Sequence, residues 1–251
     1  MHNIRLVIAY DGTNYSGWQI QKNAKTIQGE IEKALKKILR KKVRLIAAGR
    51  TDSGVHARAQ IANFTTSNPA LGNAGLEVVL QRAVNSKLSR DICIIEAKTV
   101  PLEFHSRFDA KGKIYRYTIL NNRIDDPFLR RYYCKVPYKL NIALMRKEAK
   151  VLLGRHDFKS FQAKSALSRI KSTIRTIKKI TITKNKQFIH IDIEANGFLH
   201  NMVRNIVGTL IEIGRGYFPE GSMRKTLSAK DRTKAGPTAQ AKGLTLLKVK
   251  Y

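Results

Sequence analysis

Residues 49–57, Gly-Arg-Thr-Asp-Ser-Gly-Val-His-Ala, set a single carboxylate, Asp52, between an arginine and a serine in a stretch framed by Gly49 and Gly54. An ionised carboxylate held in place can work as a nucleophile or as a base. Glycines on both sides let the chain bend sharply and let a ligand approach the backbone. Nearby cations, Arg50 first among them, favour the charged form of the acid. The plain alternative is an Asx-turn, in which Asp52 bonds its own backbone and performs no chemistry. Residue types and spacing leave both readings open.

Two hydrolytic chemistries fit this stretch badly. Asp52-Ser53-Gly54 has the form of a proteolytic tripeptide, but such a site shares one proton between two carboxylates. The chain holds no second Asp-Ser/Thr-Gly, although a second copy could supply one. Arg50 would also keep Asp52 ionised, which opposes proton sharing. Retaining glycoside hydrolysis likewise needs two facing carboxylates, and no partner acid stands out.

The setting of this acid is strongly basic. The chain of 251 residues carries 48 Lys and Arg against 18 Asp and Glu, a formal net charge of +30. The excess is spread through the chain. No acid lies between Asp157 and Asp192, a span holding Lys159, Lys164, Arg169, Lys171, Arg175, Lys178, Lys179, Lys184 and Lys186. Lys33, Lys36, Lys37, Arg40, Lys41, Lys42 and Arg44 form a second acid-free run. A solvated basic surface is the bland account; a polyanionic partner, most simply nucleic acid, is the favoured one. Basic and aromatic faces do not combine on one segment, which argues against an anionic membrane surface. Hydrophobic residues at 43% mark a globular chain. No apolar run is long enough for a membrane span, and no signal peptide is expected. Cys93 and Cys134 suit a reducing compartment, so the expected location is cytoplasmic, with no structural metal.

The elements that must position Asp52 can be read from periodicity. Ile4, Leu6 and Ile8 alternate as in a half-buried strand, and Asp11–Trp18 has loop chemistry. Ile27, Ile31, Leu35, Ile38 and Leu39 recur at helical spacing behind Thr26 as N-cap. Strands are expected at 43–48, 59–64 and 92–99, with a second helix on Leu76, Val79, Leu80, Ala83, Val84 and Leu88. The second half repeats the theme. A strand at 113–120 places Tyr115, Tyr117 and Ile119 on one face. A helix over Ile142–Leu153 ends at Gly154 as its C′ residue. Strands follow near 174–183 and 187–195, then a helix from Met202 to Gly214. Gly236-Pro237 forms a turn, and Leu244, Leu246 and Val249 mark a closing strand. The expected fold is α+β: two α/β sandwich subdomains, 1–108 and 109–251, with mainly antiparallel sheets, helices on one face and an active-site cleft between them.

Several stretches together resemble the tRNA pseudouridine synthase A family. Gly49–Ala57 resembles its signature loop. Phe104-His105-Ser106-Arg107-Phe108-Asp109-Ala110, followed by Lys113-Ile114-Tyr115-Arg116-Tyr117, resembles a second motif. Gly197-Phe198-Leu199-His200-Asn201-Met202-Val203-Arg204-Asn205-Ile206-Val207-Gly208 resembles a third. Tyr10–Gln19 and Gly243–Tyr251 also fit, so the likeness spans almost the whole chain in order. Ser53, Arg58 and Gln240 stand where alanine, an apolar residue and proline are frequent.

The resemblance implies isomerisation of uridine to pseudouridine in tRNA, at positions 38 to 40 of the anticodon stem-loop, by a homodimer in which one tRNA touches both subunits. It implies no cofactor. Asp52 maps to the family's catalytic aspartate, attacking the sugar C1′ or the uracil C6, or drawing a proton from the sugar. Tyr115 maps to the active-site tyrosine, whose ring can stack on an extruded uracil. Its spacing alone fits core packing beside Tyr117 and Ile119. Arg204 maps to the arginine that pairs with the aspartate; on its helix it lies off the apolar stripe, one turn before Gly208, whose small size leaves room for the guanidinium, although spacing alone slightly favours a solvated surface arginine. Arg50, His56 and Arg58 are expected to contact phosphate or sugar, with a structural hydrogen bond as the alternative for His56. The competing reading of the whole chain is a non-catalytic RNA-binding protein of the same fold.

Overall fold

The protein is described by a computed structural model over residues 1–67, 75–163 and 172–251. Lys164, Arg169 and Lys171 of the acid-free span lie outside the described residues. The chain forms two compact units. The first comprises Met1–Lys111 together with Leu246–Tyr251; the second is Gly112–Thr245. The described elements are mixed helix and strand, and the antiparallel sheets expected from the sequence are present.

In the first unit β1 (His2–Tyr10) pairs antiparallel with β3 (His56–Thr66) on one side and with β4 (Ile92–Val100) on the other. The closing strand β10 (Leu244–Lys250) lies beyond β3. The period-two pattern of β1 works as read: Ile4, Leu6 and Ile8 are fully buried, while Arg5, Val7 and Ala9 on the opposite face keep partial exposure. Helix α1 (Ile27–Leu39) buries Ile27, Ile31 and Leu35, and Thr26 caps it by accepting from Gly29 N at 3.3 Å. Helix α2 (Leu76–Asn85) buries Leu80 and Val84, but Val79 is 57% exposed and so stands off the expected stripe.

Two strand expectations need correction. The strand expected at 43–48 is only the two-residue β2 (Ile46–Ala47), although Ala48 N still donates to Ile61 O at 2.8 Å. The strand expected at 59–64 starts three residues earlier, at His56. His56 reads as a loop residue by its polarity. It is 3% exposed, and its Nδ1 accepts from Gly12 N at 3.1 Å, which removes the cost of burying it. Asp11 Oδ1 also lies 3.1 Å from that nitrogen, but this oxygen already accepts from Thr13 N (2.9 Å) and Thr13 Oγ1 (2.5 Å), so Nδ1 is read as an acceptor.

Asn3 and Asn63 tie the second motif to this sheet. Asn3 Nδ2 donates to Pro101 O (3.0 Å) and Phe104 O (2.8 Å), Asn63 Nδ2 donates to Asn3 Oδ1 (2.9 Å), and Asn63 Oδ1 accepts from Ser106 N (3.0 Å). Both side chains are almost wholly buried and answer the backbone groups of a segment that forms no strand.

In the second unit the strands run in the order β5 (Gly112–Leu120), β9 (Phe188–Ala195), β8 (Ile174–Asn185), β7 (Gly154–Asp157), all antiparallel. A two-residue β6 (Cys134–Lys135) pairs parallel with β5. Tyr117 faces Ile191 and Ile119 faces Ile189 across the ladder, and all four are fully buried. Helix α3 (Ile142–Ala149) gives way to a 3₁₀ turn at Lys150–Leu152. Gly154 takes φ +94°, yet it opens β7 and does not close the helix as expected. Helix α4 (Met202–Gly214) has the expected bounds and is buried along most of its length. Helix α5 (Ser222–Ala229) was not foreseen. Its N-terminus is answered by buried Glu148, which accepts from Gly221 N and Met223 N, both at 2.9 Å.

The loop 11–18 presses on the loop that carries Asp52. A Cβ built on Gly12 would lie 2.1 Å from Val55 O, and one on Gly17, where φ is +83°, would lie 2.6 Å from Thr51 O and 3.1 Å from the Asp52 carbonyl carbon. Gly12→Ala must therefore move backbone against backbone, and overpacking of this kind costs about 1–3 kcal/mol or more. We expect a loss of about 3 kcal/mol in unfolding free energy, read as a lowered urea midpoint. A midpoint equal to that of the unsubstituted protein would show that the two loops do not meet as described.

Candidate active site

Asp52 begins a four-residue turn, 52–55, closed by Val55 N donating to Asp52 O at 3.1 Å. The third residue, Gly54, takes φ +75°, as a type II turn requires at that place. The turn is thus closed backbone to backbone. Around it, Trp18 N donates to Thr51 O (3.1 Å), Ser53 Oγ donates to Tyr15 O (3.1 Å), and Gln60 Nε2 donates to Gly49 O (2.9 Å). Of the two framing glycines, Gly54 supplies the left-handed conformation, whereas Gly49 supplies a carbonyl to the buried Gln60.

Directly behind Asp52, Thr51 is buried and its Oγ1 shares a 2.8 Å hydrogen bond with the Tyr10 hydroxyl. Burial pushes the Tyr10 phenol up to about 12, against weaker lowering by hydrogen bonds from Thr51 and Gln60. Tyr10 therefore stays neutral and serves as a fixed strut. Asp52 itself is half-buried, and Arg50 and Arg58 are exposed on either side of the turn. His56 belongs to the frame, bonded to Gly12 as described above.

In the second unit, Tyr115 lies on β5 opposite Ile193 of β9 and is 7% exposed. Its ring meets the edge of Phe198 at a centroid distance of 5.1 Å and an interplanar angle of 87°. The stripe of Tyr115, Tyr117 and Ile119 is as read, and Tyr115 is the least deeply buried of the three.

Arg204 lies half-buried on the first turn of α4. Its Nε donates to Ala239 O at 2.7 Å, its Nη1 to Asn201 Oδ1 at 3.0 Å, and its backbone oxygen accepts from Ala239 N at 3.2 Å. Asn201 is the N-cap of α4 in the left-handed region, φ +59°, and its side-chain oxygen serves the arginine and not the helix. Gly208 has a different task from the one expected. A Cβ there would stand 1.7 Å from Pro237 O, so the small residue admits the backbone of 236–239 against the helix. That approach brings Ala239 O to the guanidinium. Neighbouring Tyr117 is fully buried, its hydroxyl donates to Gln240 O at 2.8 Å, and its phenol is pushed far above the usual range, first by burial and then by Cys134.

Sequence reasoning missed the frame. Tyr10, Thr51, Gln60, Asn201 and Ala239 carry no motif-like chemistry by themselves; Tyr10, Thr51 and Asn201 fall within stretches that resemble the family but have no role assigned there, and Gln60 and Ala239 fall outside them. A surface groove of about 740 Å³ lies elsewhere in the first unit, lined by Gln28, Glu32, Lys33 and Lys36 of α1 among others. Its acids are engaged with neighbours: Glu32 Oε1 accepts from Leu45 N and Gln28 Nε2, and Glu30 meets Lys33 at 2.8 Å. None of Asp52, Tyr115, Arg204, Arg50, His56 and Arg58 lines it. Among the described residues no group of three or more His, Cys, Asp or Glu could hold a metal ion, and no helix is long and apolar enough to cross a membrane.

Comparison with known proteins gives the family. A family profile described as tRNA pseudouridine synthase matches residues 6–109 and 149–251. The tRNA pseudouridine synthase A of Thermoanaerobacter sp. (strain X514) is 49% identical over 251 residues, covering all of both chains. Those of Clostridium acetobutylicum and Acetivibrio thermocellus are 46% and 43% identical, again over the whole of both chains. The chain belongs to the tRNA pseudouridine synthase family and is an isomerase of that kind.

Proposed function

We propose that the protein converts uridine to pseudouridine at positions 38–40 of the tRNA anticodon stem-loop, with Asp52 as nucleophile. The observation that carries this reading is the rigid turn at 52–55. It holds a carboxylate by backbone hydrogen bonds and close backbone contacts, so the side chain need not close its own loop. Asp52 attacks the sugar C1′ or the uracil C6. By either route the N1–C1′ bond breaks, a C5–C1′ bond forms, C5 loses its proton, N1 gains one, and the carboxylate leaves unchanged. Atoms and electrons balance within the nucleotide, so the reaction needs no cofactor.

The other residues have distinct tasks in this reading. The ring of Tyr115 stacks on the uracil once it has swung out of the RNA strand. Arg204 pairs with Asp52, which orients the carboxylate. Arg50 and Arg58, both exposed, contact phosphate or sugar. His56, bonded to Gly12, fixes the loop between them and any contact it makes with the substrate comes from the same position. The wider basic surface binds the tRNA backbone, with recognition by shape and by an accessible loop. The protein works in the cytoplasm as a homodimer, each tRNA touching both subunits.

The test is incubation with an unmodified tRNA transcript, followed by mapping of pseudouridine with a base-specific chemical probe. Product at 38–40 is expected; product elsewhere would refute the assigned position. Asp52→Asn should abolish turnover and leave tRNA affinity within about threefold, because the isosteric amide cannot attack. Normal turnover by that variant would remove Asp52 from the chemistry. Tyr115→Phe keeps the ring; if the hydroxyl assists loss of the C5 proton, the single-turnover rate falls by about a hundredfold, and an unchanged rate limits Tyr115 to stacking. Affinity for tRNA should fall by about a thousandfold between 50 and 200 mM salt if about six phosphates are neutralised. A flat salt dependence would contradict the polyanion surface.

A further inference from the structure

Arg232 looks like one more cation in a basic chain, but its guanidinium turns inward. It opens a 3₁₀ turn, Arg232–Lys234, capped by Asp231, whose Oδ1 accepts from Thr233 N at 2.9 Å. Nη2 of Arg232 donates to Asn205 Oδ1 (3.1 Å) and to Thr238 Oγ1 (3.0 Å), and Nη1 donates to Ala235 O (3.3 Å). Thr238 Oγ1 in turn donates to Asn205 Oδ1 at 2.7 Å. Asn205 is fully buried on α4 and spends its amide on Phe161 O at 2.7 Å. All three acceptors of Arg232 are neutral oxygens, and burial pulls the guanidinium below the ordinary arginine range. A partly buried cation whose hydrogen bonds all go to neutral oxygens is a costly way to make a surface contact. The cluster is justified by what it holds.

What it holds is residues 235–240, laid along α4. Gly236 N donates to Thr209 Oγ1 at 3.0 Å, and a Cβ on Gly236 would meet the Thr209 backbone at 2.9 Å. Two successive carbonyls of this segment then reach residues of the site. Ala239 O accepts from Arg204 Nε at 2.7 Å, and Gln240 O accepts from the hydroxyl of Tyr117, two residues along β5 from Tyr115.

We propose that Arg232 is a positioning residue for the isomerisation: through Thr238 and Asn205 it locks residues 235–240 onto α4 and thereby sets the heading of the Arg204 guanidinium. This rests on the reading above in which Arg204 orients Asp52. The planar fork of arginine is what the task needs, because three acceptors must be met at once. Lysine offers a point charge on a flexible stem and cannot meet all three in the same plane.

The test uses the full chain and an unmodified tRNA transcript, with Arg232→Met, Arg232→Lys and Thr238→Val beside the unsubstituted protein and Asp52→Asn. Single-turnover rate at saturating enzyme, tRNA affinity, melting temperature and the pH–rate profile are measured for each. A displacement of about 1 Å at a reacting group can cost about a hundredfold in rate. We expect Arg232→Met to lose about tenfold to a hundredfold in single-turnover rate while tRNA affinity stays within about threefold. Arg232→Lys should recover only part of the rate. A lowered melting temperature with an unchanged rate in the folded protein would make Arg232 a brace and overturn the proposal. So would a loss confined to affinity, which would make it an RNA contact. If Arg232→Met does not fold, Thr238→Val, which keeps the side-chain shape, carries the same expectation and the same refutation. An unsubstituted protein that makes no pseudouridine overturns the parent reading and this one with it. An active protein, an inactive Asp52→Asn and an unimpaired Arg232→Met overturn this inference alone.

Discussion

A carboxylate can act on a nucleotide only if its own backbone does not drift, and in the first unit that constraint is met by close approach of two loops. Gly12 and Gly17 bring the backbone of 11–18 so near to 51–55 that neither position has room for a methyl group. Trp18 N, Tyr15 O and the Tyr10 hydroxyl then answer polar groups on both sides of the turn. The side chain of Trp18 is itself almost completely buried, so the pressing loop is anchored in the core. The turn that presents Asp52 is thus backed by a sheet, a buried aromatic and a fixed phenol. Each backing group is an ordinary packing or hydrogen-bonding solution, and their sum is a polar side chain on a closely braced turn.

The second unit solves a related problem with carbonyl oxygens. A guanidinium on a long side chain has many rotamers, and ordering it costs entropy unless several bonds share the work. Here Nε and Nη1 are both committed within one turn of helix and one neighbouring segment. The segment is available because α4 carries Gly208 where a side chain would collide with Pro237 O. The glycine therefore contributes by letting a second backbone reach the helix, which is a stronger constraint than the open space expected from the sequence alone.

What the sequence makes legible follows the range of the interactions involved. Helix α1 and strands β1 and β5 announce themselves because each buries a regular stripe, and periodicity is a local property; α4, buried along most of its length, announces itself by its apolar content. The 49–57 stretch is legible because several chemically active residues fall within one loop. By contrast β2 consists of two residues, and β3 starts at His56 only because Gly12, 44 positions away, satisfies the imidazole. Helix α5 has a short apolar face and depends on Glu148, 73 residues before Gly221, to cap its N-terminus. Arg232, Asn205 and Thr238 are illegible for the same reason. The bonds that tie them to α4 and to Phe161 span 27 to 44 residues and end on neutral oxygens, and in a chain with 48 basic residues one more arginine draws no attention. Local order was readable; polar satisfaction over long range was not.

The buried phenols bear on how the chemistry should respond to pH. Tyr10 and Tyr117 both stand beside the groups that position the site, and both are held neutral by burial, Tyr10 up to about 12 and Tyr117 beyond it. Their hydrogen bonds therefore do not change across the range in which a tRNA-modifying enzyme can be assayed. Had these struts been histidines, the frame would gain charge below neutrality and loosen as it did so. With phenols in place, these two hydrogen bonds are silent to titration from acid to mildly alkaline pH, whereas His56 brings an imidazole to the same frame. A change in rate across that window therefore does not arise from these two struts.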